Sequence, residues 1–124
     1  MEQSGQERLH LIFDCGELFE RVDNDCELLR DIIGIFKQEF PRLLQTLEEA
    51  VQAQDTKRVA IAAHTLKGML SNLAASQPAA TAARLEQLGR QGDSSGLEGA
   101  FAAFKGDTSE LLPLLEACMA KECR

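Results

Sequence analysis

From Leu28 to Val51, apolar residues recur at steps of three and four: Leu28, Ile32, Phe36, Phe40, Leu43, Leu47 and Val51. The stripe holds its phase for roughly six turns, which one face of a long α-helix does and a strand does not. Pro41 falls inside the run without shifting its phase. The pattern therefore predicts a bend at Pro41 rather than an end, against a penalty of ~3 kcal/mol for an interior proline. A helix this long with a single apolar face needs other helices to cover it.

The rest of the chain supplies them. Asp14, with Glu17 three residues on, predicts a short capped helix from about Cys15 to Val22. The long helix is expected to start after Asn24, with Glu27 again three residues on. Asp55 is placed to cap a third helix running to about Ala75, with Val59, Ala62, Leu66, Leu70 and Leu73 as its apolar face. Ser76-Gln77-Pro78 opens a fourth, with proline near the first turn, carrying Ala82, Leu85 and Leu88 and stopping near Gly89 to Gly92. Asp93-Ser94-Ser95 precedes a last helix with Leu97, Phe101, Phe104, Thr108, Leu111, Leu115 and Met119 along it. Gly106 and Pro113 leave that helix either kinked or split. The expectation is an all-α protein: an antiparallel up-down four-helix bundle with a short extra N-terminal helix, preceded by a flexible leader over residues 1–12, with the bundle over 13–124. Composition agrees, because Leu and Ala dominate the apolar pattern while Trp and Tyr are absent and Phe numbers 6.

Charge narrows the function. A net charge of -7 disfavours nucleic acid and anionic membrane surfaces as partners. No apolar run reaches the ~18 residues of a membrane span, and residues 1–10 do not resemble a signal peptide, so a cytoplasmic protein is expected. Four cysteines, at positions 15, 26, 118 and 123, form no C-x-x-C pair and no zinc spacing. They are expected to be buried apolar groups or reduced thiols, not a disulfide framework, in a domain with this much core.

The chemistry-bearing face lies on the third helix. At ~100° per residue, Leu66 and Leu73 sit opposite His64. The neighbours on its own face are Ala60, Ile61, Lys67, Gly68, Ser71 and Ala75, most of them small. Gly68, one turn on, carries a helix penalty of ~1 kcal/mol relative to Ala, which clearance for an approaching molecule would explain. Lys67 places an ammonium within reach of the imidazole. A neutral histidine near pH 7 keeps one ring-nitrogen lone pair free for nucleophilic attack, its ordinary pKa being ~6.5. A partner on the other nitrogen would fix the tautomer, and antiparallel packing brings Glu86, with Gln87 beside it, level with His64. Taken singly, each of these residues is ordinary: a lone helical histidine is usually solvated or satisfied in a core, as His10 is expected to be. The combination is what points to a nucleophile beside a cation on an open face.

Ala63-His64-Thr65-Leu66-Lys67-Gly68, followed by Asn72-Leu73-Ala74-Ala75, resembles the core motif of histidine-phosphotransfer domains. Leu28-Leu29 through Phe36, Pro41, Leu47 and Asp55 resembles that family's second helix and the acidic turn after it, and Leu85-Glu86 its next helix. The likeness covers roughly residues 13 to 120. It implies that His64 carries the phosphoryl group on Nε2, that Lys67 stabilises it, and that Gly68 leaves room for the partner's loops. The implied partners are response-regulator receiver domains, whose acidic pocket and bound magnesium supply most of the transfer chemistry, and a hybrid sensor kinase in cis or in trans. It implies no cofactor or metal of the chain's own, and action as a monomer. Two positions depart from the pattern: Ala74, where the family usually has glycine, and Met69, where it has a small residue. Met69 lies about 140° around the helix from His64 and is expected to pack between helices. The docking surface is expected on the His64 face, with Ile61 and Ser71, and on the first helix, where Leu18, Phe19 and Val22 exceed what so short a helix can bury.

Two other readings remain open on sequence. One is the phosphorylatable input domain of a chemotaxis-type kinase, although the chain has no nucleotide motif of its own. The other is a non-catalytic helical interaction module. A metal-dependent hydrolase is more distant, since no H-x-x-x-H or similar ligand spacing is present.

Overall fold

The computed structural model describes residues 12–123 and is helical throughout, with no strand among them. The elements are α1 (Cys15–Arg21), α2 (Cys26–Gln52), α3 (Thr56–Asn72), α4 (Ser76–Gln91), α5 (Leu97–Thr108) and α6 (Leu111–Glu122). Residues 1–11, and with them the reading of His10 and most of the proposed leader, lie outside the described residues. Ile12, assigned to the leader by sequence, is buried in the core beside Phe13.

Aspartate side chains cap the first three helices, whereas α4, α5 and α6 start without a side-chain cap hydrogen bond. Asp14 accepts from the Glu17 amide and Asp55 from the Arg58 amide. At α2 the cap is Asp25, not Asn24: its carboxylate accepts from the amides of Glu27 and Leu28, while Asn24 takes a left-handed φ of 58° in the preceding turn. α2 runs unbroken through Pro41. The last predicted helix is split after Thr108, and Pro113 sits in the first turn of α6, where its missing N–H would have no helical partner anyway.

One core joins all six helices. Leu18, Leu29, Leu47, Leu66, Leu70, Leu85, Phe104, Leu111 and Leu115 are fully buried in it, each contributing about 1.5–3 kcal/mol relative to exposure. In the first half of α2 the buried face is not the predicted one. Leu29 and Ile33 point inward, whereas Leu28 is 43% exposed and Ile32 half-buried. Both candidate stripes have helical spacing, and the choice between them depends on where α1 and α3 pack.

α3 packs most extensively on α4. Gly89 sets their separation: a Cβ there would fall 2.6 Å from the Thr56 carbonyl oxygen and 2.7 Å from the Ala60 nitrogen. Of the stretch Gly89 to Gly92 where the fourth helix was expected to stop, Gly89 lies inside α4, and Gly92, with φ 70°, ends it.

The cysteines overturn their expectation. Cys15 is bonded to Cys118 and Cys26 to Cys123, so the start of α1 is tied to α6 and the start of α2 to the residue that follows α6. Spacing arguments test only local motifs, and these partners are 103 and 97 residues apart.

Gly89→Ala is expected to lower stability by about 1–3 kcal/mol or more, because a methyl meeting backbone cannot be relieved by a rotamer change. Gly68→Ala, whose Cβ would meet nothing within 4 Å, should leave stability equal or higher by up to ~1 kcal/mol. Urea unfolding of the two variants reads both signs.

Candidate functional site

His64 lies mid-way along α3, its neighbour Ala63 fully buried and its own side chain 63% exposed. α4 runs antiparallel beside it: Gly89 opposes Ala60, and one turn earlier Glu86 opposes His64. The Glu86 carboxylate, only 5% exposed, lies with one oxygen 2.9 Å from His64 Nδ1 and the other 2.7 Å from Lys67 Nζ. Arg90, four residues on in α4, places Nη2 2.5 Å from Glu86 Oε2. A carboxylate only accepts hydrogen bonds, so with histidine neutral the proton is on Nδ1 and the Nε2 lone pair is the free one.

The Lys67 ammonium is the largest influence holding the Glu86 carboxyl below the usual carboxylate range of about 4.5. Burial opposes it, and His64 and Arg90 add to the lowering. The carboxylate is therefore ionised whenever the site works. With Lys67 and Arg90 against Glu86, the cluster is net positive by one charge in a chain of net charge -7. A small dianionic group arriving at Nε2 meets a local field opposite to that of the whole molecule.

The space is open. Nothing lies within 4 Å of a Cβ built on Gly68, and a shallow concavity beside the imidazole is lined by Ala60, Ile61, Thr65 and Arg90. Ile61 is 70% exposed and Ser71 exposed. On the other flank a groove of about 540 Å³ is lined chiefly by Leu28, Ile32, Ile35, Phe36, Met69 and Leu73, with α1 along its edge. Leu18 and Val22 are 0% and 3% exposed, so they cannot project toward a partner as the sequence reading proposed. They wall the groove from within, and Phe19 is half-buried. Among the described residues the exposed large apolar side chains are instead Leu28, Ile35 and Ile61. Leu28 and Ile35 went unnoticed because Leu28 was assigned to the core face and Ile35 to no face. Arg90 was also missed, although its i,i+4 spacing from Glu86 is a readable signal.

Ala74 occupies a left-handed φ of 59° at the end of α3. This accounts for glycine being usual there in the pattern it departs from. The strain of a Cβ in that region, roughly 1 kcal/mol, is largely offset because the Ala74 methyl is buried. Among the described residues no three His, Cys, Asp or Glu side chains gather where they could hold a metal ion.

The family model for the Hpt domain matches residues 31–120, spanning α2 to α6 and the whole His64 cluster. The chain belongs to the Hpt domain family. Hpt domains are phosphocarrier modules, and this one serves phosphotransfer in two-component phosphorelays. No curated protein and no solved structure gives a significant match to this Hpt domain. No helix among its described residues is long and apolar enough to cross a membrane.

The lowered Glu86 pKa has a definite sign in stability. The stabilisation is fully present above pH 4.5 and is lost as pH falls through the folded-state value. Glu86→Gln should cost about 1–2 kcal/mol at neutral pH, a modest figure because the three partners of the carboxylate are solvent-exposed. The difference from the wild-type protein should shrink below pH 4.5. Chemical unfolding across that range measures it, and a difference that stays constant with pH would remove Glu86 ionisation from the account.

Proposed function

We propose that His64 is the phosphoacceptor, exchanging a phosphoryl group with the aspartate of response-regulator receiver domains. The observation that carries this is the geometry at His64: an exposed ring whose Nδ1 is held by Glu86 at 2.9 Å, leaving Nε2 free, with Lys67 and Arg90 paired to the same carboxylate. In the accepting direction Nε2 attacks the phosphorus of the receiver's aspartyl phosphate. The Nε2–P bond forms, the P–O bond to the aspartate breaks, and a carboxylate leaves. Attack by a neutral imidazole leaves positive charge on the ring, which the Glu86 carboxylate on Nδ1–H stabilises. Lys67 and Arg90, both exposed enough to turn, neutralise the phosphoryl oxygens. Gly68 admits the receiver's loops, whose own magnesium would shield the phosphoryl charge during transfer. The chain then needs no cofactor of its own and acts as a carrier, not an autonomous kinase.

The receiver docks along α3 and the adjoining groove, in this reading, with Ile61, Leu28 and Ile35 as apolar contacts and Ser71 at the rim. The same reading takes α2, α3, α4 and the α5–α6 segment as an antiparallel up-down four-helix bundle, the chain as a monomer, and its place as the cytoplasm alongside its receiver and any hybrid sensor kinase.

His64→Gln should keep the helical fold, since the ring is exposed, and abolish acid-labile, base-stable phosphorylation. Labelling at the wild-type level would exclude His64 as carrier. Ile35→Asp should slow transfer from a phosphorylated receiver roughly tenfold while leaving labelling by phosphoramidate, a small donor that needs no docking, unchanged. Unchanged receiver kinetics would remove the groove from the interface.

A further inference from the structure

α1 is seven residues long, too short to hold a helix by itself. Two sets of contacts fix it. Toward α3, the Asp14 amide donates to the Ala74 carbonyl at 3.2 Å, Arg21 Nη1 donates to the Ser71 carbonyl at 2.6 Å, and Leu18 and Val22 are buried. Toward α6, Cys15 at the start of α1 is bonded to Cys118, and Cys26, the first residue of α2 just past the turn that follows α1, is bonded to Cys123. Leu18, Arg21 and Val22 form one wall of the apolar groove, and Leu28, two residues beyond Cys26, is at its mouth. The disulfides thus fasten the one wall of the groove that is least able to stand without them.

A core of this extent does not need cross-links to fold, since a domain of this size buries most of its apolar surface without them. The two bonds differ in access at one cysteine. Cys15 is half-buried but its partner Cys118 is 3% exposed, whereas Cys26 and Cys123 are both half-buried, Cys123 just beyond the end of α6. An attacking thiolate reaches the second bond more readily.

We infer that the Cys26–Cys123 disulfide is a redox-responsive clasp on the receiver-docking groove, an inference that rests on the docking surface proposed above. A dithiol reductant opens it by thiol–disulfide exchange. One reductant thiolate attacks a sulfur to give a mixed disulfide, and its second thiol resolves it. Two electrons and two protons pass to the protein as two cysteine thiols, and the dithiol becomes a disulfide. The Cys15–Cys118 bond persists, α1 and its turn into α2 loosen at the Cys26 end, and the groove wall loses its fixed position. The Glu86 cluster lies between α3 and α4 and contains no cysteine, so His64 chemistry is untouched. Docking weakens while the carrier stays intact.

The test compares oxidised protein, protein treated with dithiothreitol, and the Cys26→Ser/Cys123→Ser variant, which keeps the Cys15–Cys118 bond. Amide hydrogen exchange over residues 14–25 should accelerate roughly tenfold in the second and third samples, with α3 and α4 unchanged. Transfer from the receiver that reacts fastest in a panel charged with acetyl phosphate should slow by a similar factor in both, and phosphoramidate labelling of His64 should be equal in all three. Exchange over residues 14–25 that is the same in all samples overturns the clasp, as does a variant that transfers at the oxidised wild-type rate. Resistance of Cys26–Cys123 to dithiothreitol in the folded protein also overturns it. Loss of phosphoramidate labelling in the oxidised protein would instead strike the His64 reading, which keeps the two failures apart.

Discussion

A single buried carboxylate organises the functional half of this molecule. Glu86 is almost wholly removed from water, and a lone charge there would be strongly unfavourable. It is tolerated because three groups converge on it: the His64 ring, the Lys67 ammonium and the Arg90 guanidinium. Those partners come from two helices, so the same contacts that satisfy the charge fix the rotation of α3 against α4. His64 is consequently held with Nδ1 inward and Nε2 outward. Stability and readiness for phosphotransfer come from one interaction.

That interaction demands a close helix pair, and the seam between α3 and α4 is built of small residues to allow it. Gly89 against Ala60 brings the backbones to a distance that no Cβ at position 89 would permit. Ala62 and Ala63 on α3 and Ala79 and Ala82 on α4 are all buried. Large side chains are kept for the other side of α3, where Leu66 and Leu70 meet the main core. The result is a thin, close-packed wall presenting the imidazole and a bulkier interior holding the wall in place. The apolar groove on the opposite flank lies where α2 and α1 fail to cover α3 completely, leaving Leu28 and Ile35 in water.

Much of this was legible in the residues. The approximate bounds of the first four helices followed from periodicity and from the caps at Asp14 and Asp55, while the split of the last one was left open. The His64, Lys67 and Gly68 face followed from helical geometry, because residues three and four apart must share a side whatever the tertiary context. Less was legible where two answers had equal local support. Leu28 and Leu29 both extend a helical stripe, and only the placement of α1 and α3 decides that Leu29 goes inward. Leu18 and Val22 looked too apolar for a short helix because the sequence does not show that α1 lies in a cleft between α3 and α6. Arg90 was readable from its spacing to Glu86, yet nothing local marks it as part of the His64 cluster.

The sequence by itself determined what lies within one helix: its existence, its caps, and which side chains share a face, since these depend on a fixed 3.6-residue repeat and on groups a few positions apart. Only the tertiary structure decided what depends on two distant segments meeting. The joining of Arg90 to the Glu86–His64 pair, the depth of Gly89 against Ala60, and above all the pairing of Cys15 with Cys118 and Cys26 with Cys123 belong to that class. Many pairings are compatible with the same local pattern, and packing of the whole core selects among them.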